Sequence, residues 1–230
     1  MAKGPRAGKC KTRLCPPLSL EQAAELYRCF LIDSVNKALA ACSSEAVPTG
    51  LILAHPDGDA ELLLELVPSA VRLETQRGVD LGARLQSMFD EQFAAGNERV
   101  VIIGADSPNL PASFLHDAFA TLADCDVVLG PARDGGYYLI GLRRPHPRLF
   151  EEIAWSTNAV CAQTLERAGK LSLRVNQLPL WYDIDTVADL RELYASDRMI
   201  APIPKTAAFL QSHASQWSIS PLPSPTRSPL

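Results

Sequence analysis

Four consecutive apolar, β-branched residues, Val100-Val101-Ile102-Ile103, are closed by Gly104 and followed, after Ala105, by Asp106-Ser107-Pro108-Asn109-Leu110-Pro111. A run that is apolar at every position does not alternate between core and solvent. It therefore predicts a strand, Arg99–Gly104, covered by helices on both faces, as in a parallel sheet. The flanking pattern agrees. A capping box, Ser19 with Gln22, opens a helix from Ser19 to Ala41, and Gly50–Ala54 is a short strand. A helix over Ala60–Val67, a strand over Ala70–Leu73 and a helix over Leu81–Ala95 capped by Asp80 come next. After Gly104 a helix runs to Ala123. Strands Asp126–Leu129 and Tyr137–Leu142 flank a Gly135-Gly136 turn. Helix Thr157–Ala168, strand Leu171–Asn176 and helix Val187–Tyr194 close the pattern. Strands alternating with helices imply an α/β fold with a mainly parallel sheet and right-handed crossovers.

At 230 residues and 47 % apolar composition, the chain is long enough for one substantial core and too apolar for a disordered one. One domain is expected over residues 1–195. Residues 196–230, with Pro202, Pro204, Pro221, Pro223, Pro225 and Pro229 among Ser and Thr, read as a poorly structured tail. The net charge of −4 gives no reason to expect nucleic acid or an anionic membrane as a partner. Neither a signal peptide nor a membrane-spanning run is visible, and Cys10, Cys15, Cys29, Cys42, Cys125 and Cys161 show no zinc spacing. These features read as a cytoplasmic protein with reduced thiols.

In an open parallel sheet, chemistry is done beyond the carboxyl ends of the strands. Asp106 stands two residues past such a strand, although taken alone it reads more readily as a turn former ahead of Pro108 and Pro111. In Asp183-Ile184-Asp185-Thr186, a helix start explains Thr186 and Asp189 but leaves Asp183 and Asp185 as paired acids on one side of an extended segment. A hard cation such as Mg²⁺ relieves such a pair, and Asp106 with Asp185 would make a site for it. The opening loop carries Gly8, which permits close backbone approach, and Lys9, Lys11 and Arg13. In an extended segment Lys11 and Arg13 share a side, and an ordinary solvated basic loop explains them as well. Walker, HExxH, G-x-S-x-G and GxGxxG patterns are absent.

Six blocks in one order carry a resemblance that spans about Ala2 to Tyr194. They are Gly8-x-x-Lys11-Thr12-Arg13-Leu14, Gln76-x-Gly78-x-Asp80-Leu81-Gly82, Gly104-x-Asp106-Ser107-Pro108, Gly130-Pro131-Ala132-x-Asp134-Gly135-Gly136-Tyr137, Trp155-Ser156-Thr157 and Asp183-Ile184-Asp185-Thr186. The chain resembles the DUF2064 family, glycosyltransferase-A-like proteins also called radical-SAM/selenodomain-associated transferases. The resemblance implies the three-layer nucleotide-diphospho-sugar transferase fold. It also implies roles. Gly8, Lys11, Arg13, Gln76, Gly78 and Asp106 would bind the nucleotide. Asp106, Asp185 and Asp183 would hold Mg²⁺ or Mn²⁺, and Lys11, Arg13 and Asp106 would carry the chemistry. Asp134, Gly135, Gly136, Tyr137, Trp155, Ser156 and Thr157 would face a small-molecule acceptor.

Two reactions compete. The family label favours glycosyl transfer from a nucleotide sugar and places it first by a small margin. The basic loop, and Asp106-Ser107-Pro108 in place of Asp-x-Asp, lean toward nucleotidyl transfer from a nucleoside triphosphate with release of pyrophosphate. A non-catalytic nucleotide-binding protein is the third reading. In the family, the basic loop follows a buried first strand, whereas here only Met1-Ala2-Lys3 precedes Gly4-Pro5. The expectation is an N-terminal truncation by about five to eight residues that leaves sheet groups unpaired and loosens the anchor of Lys11 and Arg13.

Overall fold

The computed structural model describes residues 1–43, 50–195 and 202–214. Helix α1 (Leu20–Cys42) starts at the expected capping box. The Ser19 hydroxyl accepts from the Gln22 amide, and the Gln22 side chain accepts from the Ser19 amide. The next elements are β1 (Ile52–His55), α2 (Ala60–Leu64), β2 (Arg72–Thr75) and α3 (Leu81–Ala94). The α3 helix is capped by Asp80, whose Oδ1 accepts from the Ala83 amide at 2.8 Å. Then come β3 (Val100–Ile103), α4 (Ala112–Thr121), β4 (Val127–Pro131), β5 (Tyr137–Leu142), α5 (Val160–Lys170), β6 (Val175–Gln177), α6 (Val187–Ala195) and α7 (Pro204–Ser212).

The larger sheet has the order β3-β5-β4-β6, and β1 pairs with β2 in a second sheet. β1 and β2 are parallel, as are β4 and β6, while β5 runs against both β3 and β4. β3 therefore differs from its expected pairing, because its hydrogen-bonded neighbour is an antiparallel strand. Its apolar run is still explained by cover on both faces. Val101 and Ile103 pack with Leu115, Leu122 and Val128 beneath α1 and α4, and Val100 and Ile102 pack with Leu85, Phe89 and Leu129 beneath α3. Helices on both faces of the sheet make the three layers.

Between β1 and β3 lie Met1 and Ala2. The Met1 ammonium donates to the Ile103 carbonyl at 2.6 Å and the Ala2 amide to the Ala54 carbonyl at 2.9 Å. The two sheets meet through these residues rather than through a full strand.

Helix α7 corrects the reading of the C-terminal segment. Pro204 sits in its first turn, where a missing N–H costs nothing. The Lys205 and Thr206 amides are capped by Asp33 of α1 at 3.2 and 2.8 Å, and Phe209 and Leu210 are buried against α1. A cap supplied from a helix so distant in sequence leaves no local signature. Residues 196–201 and 215–230 of the expected tail lie outside the described residues. Among the described residues, no helix is long and apolar enough to cross a membrane.

Candidate functional site

β3, β4 and β6 run the same way, and the segments that follow β3 and β6 converge. Asp106 leaves β3 on a loop clamped to the segment before α6. The Ile184 amide donates to the Asp106 carbonyl at 3.0 Å, and the Ser107 hydroxyl donates to the Tyr182 carbonyl at 3.1 Å and to Asp183 Oδ1 at 2.5 Å. Asn109 donates to the Tyr182 hydroxyl at 2.8 Å. Lys37 of α1 donates to the Pro108 carbonyl from the other side, and burial pushes its ammonium down to about 8, against the opposing charge of Asp33.

Lys11 closes the cluster. Its Nζ lies 2.5 Å from Asp106 Oδ1 and 2.7 Å from Asp185 Oδ1, so the two carboxylates face each other across one ammonium. The Lys11 side chain is 3 % exposed and each aspartate 43 %. Burial alone would lower the Lys11 pKa, but Asp106 and Asp185 more than offset it and raise it above the usual lysine value. Two features differ from expectation. The basic segment is not extended, since Lys11 is left-handed (φ 49°) and Thr12–Leu14 form a 3₁₀ turn. Nor is Lys11 a solvated loop charge. Arg13 is, at 75 % exposure, with Nη1 3.9 Å from Asp185 Oδ2.

Asp183 separates from Asp185 despite sitting on the same short segment. It is held by Ser107, and burial, with the charge of Asp106 adding, pushes its carboxyl up to about 6. Among the described residues no three His, Cys, Asp or Glu side chains form a metal cluster. Asp106 and Asp185 are two converging, half-exposed carboxylates that share the Lys11 ammonium, and such a pair could hold a hard divalent ion. The remaining coordination sites would fall to water and substrate phosphates.

A groove of about 370 Å³ runs from this cluster between β1 and β3, lined by Tyr27, Gln76, Arg84, Asp106, Tyr137 and Asp183 among others. Gln76 is fixed there by its amide, which donates to the Ala54 carbonyl at 2.8 Å. Gly78 (φ 138°) packs on the first turn of α3, where a Cβ would lie 2.6 Å from the Arg84 nitrogen. Gly8 (φ 71°) turns the basic loop, and a Cβ there would meet only Leu20, so conformation rather than space requires glycine.

The residues expected to face an acceptor form a second group. Asp134 Oδ1 accepts from the Gly136 amide at 2.9 Å, a turn-forming bond. Gly135 (φ 89°) presses on the segment before α5, where a Cβ would sit 2.0 Å from the Asn158 carbonyl oxygen. Trp155 stacks over Gly82, and the Thr157 hydroxyl donates to the Ala154 carbonyl at 2.7 Å next to the left-handed Ser156 (φ 64°). Of this group Tyr137 lines the groove with Asp106, and its hydroxyl is turned into the core beside Thr164.

Asp59 is the residue that sequence reasoning missed. It accepts from the Gly4 amide at 2.6 Å and from Arg6 Nε at 3.1 Å, tying the start of the basic loop to the start of α2. The expected loosening of that loop is therefore not what the structure has. Asp59→Ala leaves a buried amide unpaired, at a cost of about 1–3 kcal/mol. The expected result is lower thermal stability and faster amide exchange across residues 4–13. Unchanged exchange there would remove Asp59 from the anchor.

Comparison with known proteins follows the same lines. The sequence profile of a family described as "Uncharacterized protein conserved in bacteria (DUF2064)" matches residues 38–157. A solved structure from Desulfovibrio desulfuricans G20, assigned as a nucleotide-diphospho-sugar transferase, is 35 % identical, with a TM-score of 0.81 over 94 % of this chain and 93 % of that one. A 2-phospho-L-lactate guanylyltransferase of Methanocaldococcus sp. strain FS406-22 is 29 % identical over 189 residues, 80 % of this chain and 75 % of that protein. A phosphoenolpyruvate guanylyltransferase of Sphaerobacter thermophilus is 28 % identical over 190 residues, 82 % and 88 % of the two chains.

Proposed function

Because the chain belongs to the DUF2064 family, we propose that this transferase moves a nucleoside monophosphate from a nucleoside triphosphate to a small phosphorylated acid. The acceptor phosphate oxygen attacks the α-phosphorus, the bond from that phosphorus to the bridging oxygen breaks, and pyrophosphate leaves. The observation that carries this reading is the buried Lys11 ammonium between Asp106 and Asp185, with Arg13 beside it. Lys11 and Arg13 offer positive charge where a leaving pyrophosphate gathers negative charge, once a divalent ion takes up the two carboxylates. The guanylyltransferase relatives support GTP as donor, and phosphoenolpyruvate or 2-phospholactate as acceptors to try first.

In this reading Lys11 and Arg13 bind the β- and γ-phosphates, and Gln76 faces the base. The Asp106 loop, held by Ser107, Asn109 and Lys37, keeps its carboxylate aimed without reorganising as charge develops. A divalent ion held by Asp106 and Asp185 would neutralise phosphate charge. Glycosyl transfer, which the sequence places first, has one observation in its favour, the assignment of the 35 % identical structure.

One substrate panel separates the two readings. GTP, CTP, ATP and UTP are each paired with the two acceptors, and nucleotide sugars are run alongside, all with Mg²⁺. Pyrophosphate release and product mass are measured. Nucleotidyl transfer predicts pyrophosphate and a product heavier than the acceptor by one nucleoside monophosphate residue. Sugar transfer without pyrophosphate would overturn it.

A further inference from the structure

Lys11 stands where the two carboxylates that fit a divalent ion converge. Mg²⁺ takes carboxylate oxygens at about 2.0–2.1 Å, whereas Nζ already lies 2.5 and 2.7 Å from the oxygens of Asp106 and Asp185. An ion placed between these same two oxygens would compete with the ammonium for the space it fills. The two cations also repel each other, strongly so because the Lys11 side chain is withdrawn from water. The Phe30 ring lies 5.7 Å from the ammonium at its centroid, a weak partner compared with two charge-assisted hydrogen bonds.

We propose that Lys11 is a tethered cation that holds the metal's carboxylates in the free protein, so that a divalent ion enters as its complex with a nucleoside triphosphate and not alone. The polyphosphate is what makes the exchange favourable. It gives the displaced ammonium an anionic partner at the same moment that the ion takes the carboxylates. Metal loading and presentation of Lys11 to phosphate are then one event, and the free protein does not lose its buried charge balance to stray cations. By linkage, nucleotide and metal strengthen each other's binding by the same factor. The inference takes the identity of the ligand from the nucleotidyl-transfer reading, and the exclusion from the geometry alone.

The test is Mn²⁺ binding, followed by the electron paramagnetic resonance signal of the free ion, with no nucleotide present. Lys11→Met and Lys11→Gln are expected to bind Mn²⁺ about tenfold more tightly than the wild type, within the range usual for coupled sites. Arg13→Gln removes an equal but exposed charge, and is expected to change the affinity by less than about threefold. Unchanged or weaker Mn²⁺ binding in folded Lys11 variants would overturn the proposal. So would an equal gain in Arg13→Gln, which would make the effect one of general charge. If neither Lys11 variant folds, the wild type decides: Mn²⁺ affinity must rise about tenfold with a non-hydrolysable triphosphate analogue, and an equal affinity with and without it counts against the exchange. A wild type that binds no triphosphate would defeat the nucleotidyl-transfer reading. The comparison of wild type with the Lys11 variants would still decide the exclusion.

Discussion

Asp106→Asn and Asp185→Asn are each expected to lower kcat/KM for nucleotidyl transfer by about 10²–10³-fold, the scale for losing a preorganised electrostatic group at the reacting phosphates. Each change keeps the shape of the side chain and removes one of the two negative charges that face Lys11. The fold should tolerate it, because the remaining carboxylate still pairs with the buried Lys11 ammonium, although losing one of its two partners costs about 1–3 kcal/mol. Each kcal/mol lost moves Tm by about 2–4 °C in a chain of this size. The double variant should be little worse than either single one, since two residues that act as a unit are not additive. Steady-state kinetics beside thermal unfolding gives the answer. Wild-type activity in either variant would take that carboxylate out of the chemistry, and collapse of Tm would make its role structural.

Which parts of this arrangement can be read from the residues follows from how local their causes are. The capping box of α1, the Asp80 cap of α3 and the bounds of β5 depend on neighbours within a few positions, and they appear where the sequence places them. The antiparallel pairing of β3 with β5 is not local. An all-apolar strand reports cover on both faces, and says nothing about the direction of the strand beside it. Helix α7 was lost for a related reason, since its cap comes from Asp33 and its prolines resemble those of a tail.

The site divides in the same way. Asp106 and Asp185 are legible because one follows a strand and the other belongs to an acidic pair that a helix cap does not explain. That Asp183 turns to Ser107 while Asp185 turns to Lys11 depends on what packs around each. Lys11 reads as a loop charge because nothing in a Gly- and Lys-rich segment marks one lysine for burial. Only the contact of that loop with two other loops distinguishes it from Lys9 and Arg13. Asp59 has no signature either, since its partners, the Gly4 amide and Arg6, lie more than fifty residues away.

The largest loss of stability is expected from Asp126→Ala. Asp126 opens β4 and is 5 % exposed. It accepts from Arg143 Nε at 3.1 Å, from Arg144 at 2.9 Å and from the Arg174 backbone amide at 3.0 Å, and so joins β4, β5 and the approach to β6. Burial alone would raise its carboxyl. The Arg174 amide and the Arg144 and Arg143 guanidinium groups more than offset this and hold it well below the usual carboxylate range. Removing the side chain leaves the Arg174 amide without its acceptor and takes the shared counter-charge from the partly exposed Arg143 and Arg144, at a cost of about 3 kcal/mol. The depressed pKa also sets the pH dependence. Protons bind more readily to the unfolded carboxyl, whose pKa is about 3.9, than to the folded one. The stabilisation is therefore present above about pH 4 and is lost as pH falls through the folded value. Urea denaturation of the wild type and of Asp126→Asn, from pH 7 down to pH 3, should show a gap that narrows as the buffer becomes acidic. A gap that stays constant across that range would mean that packing, and not the charge of Asp126, holds these strands together.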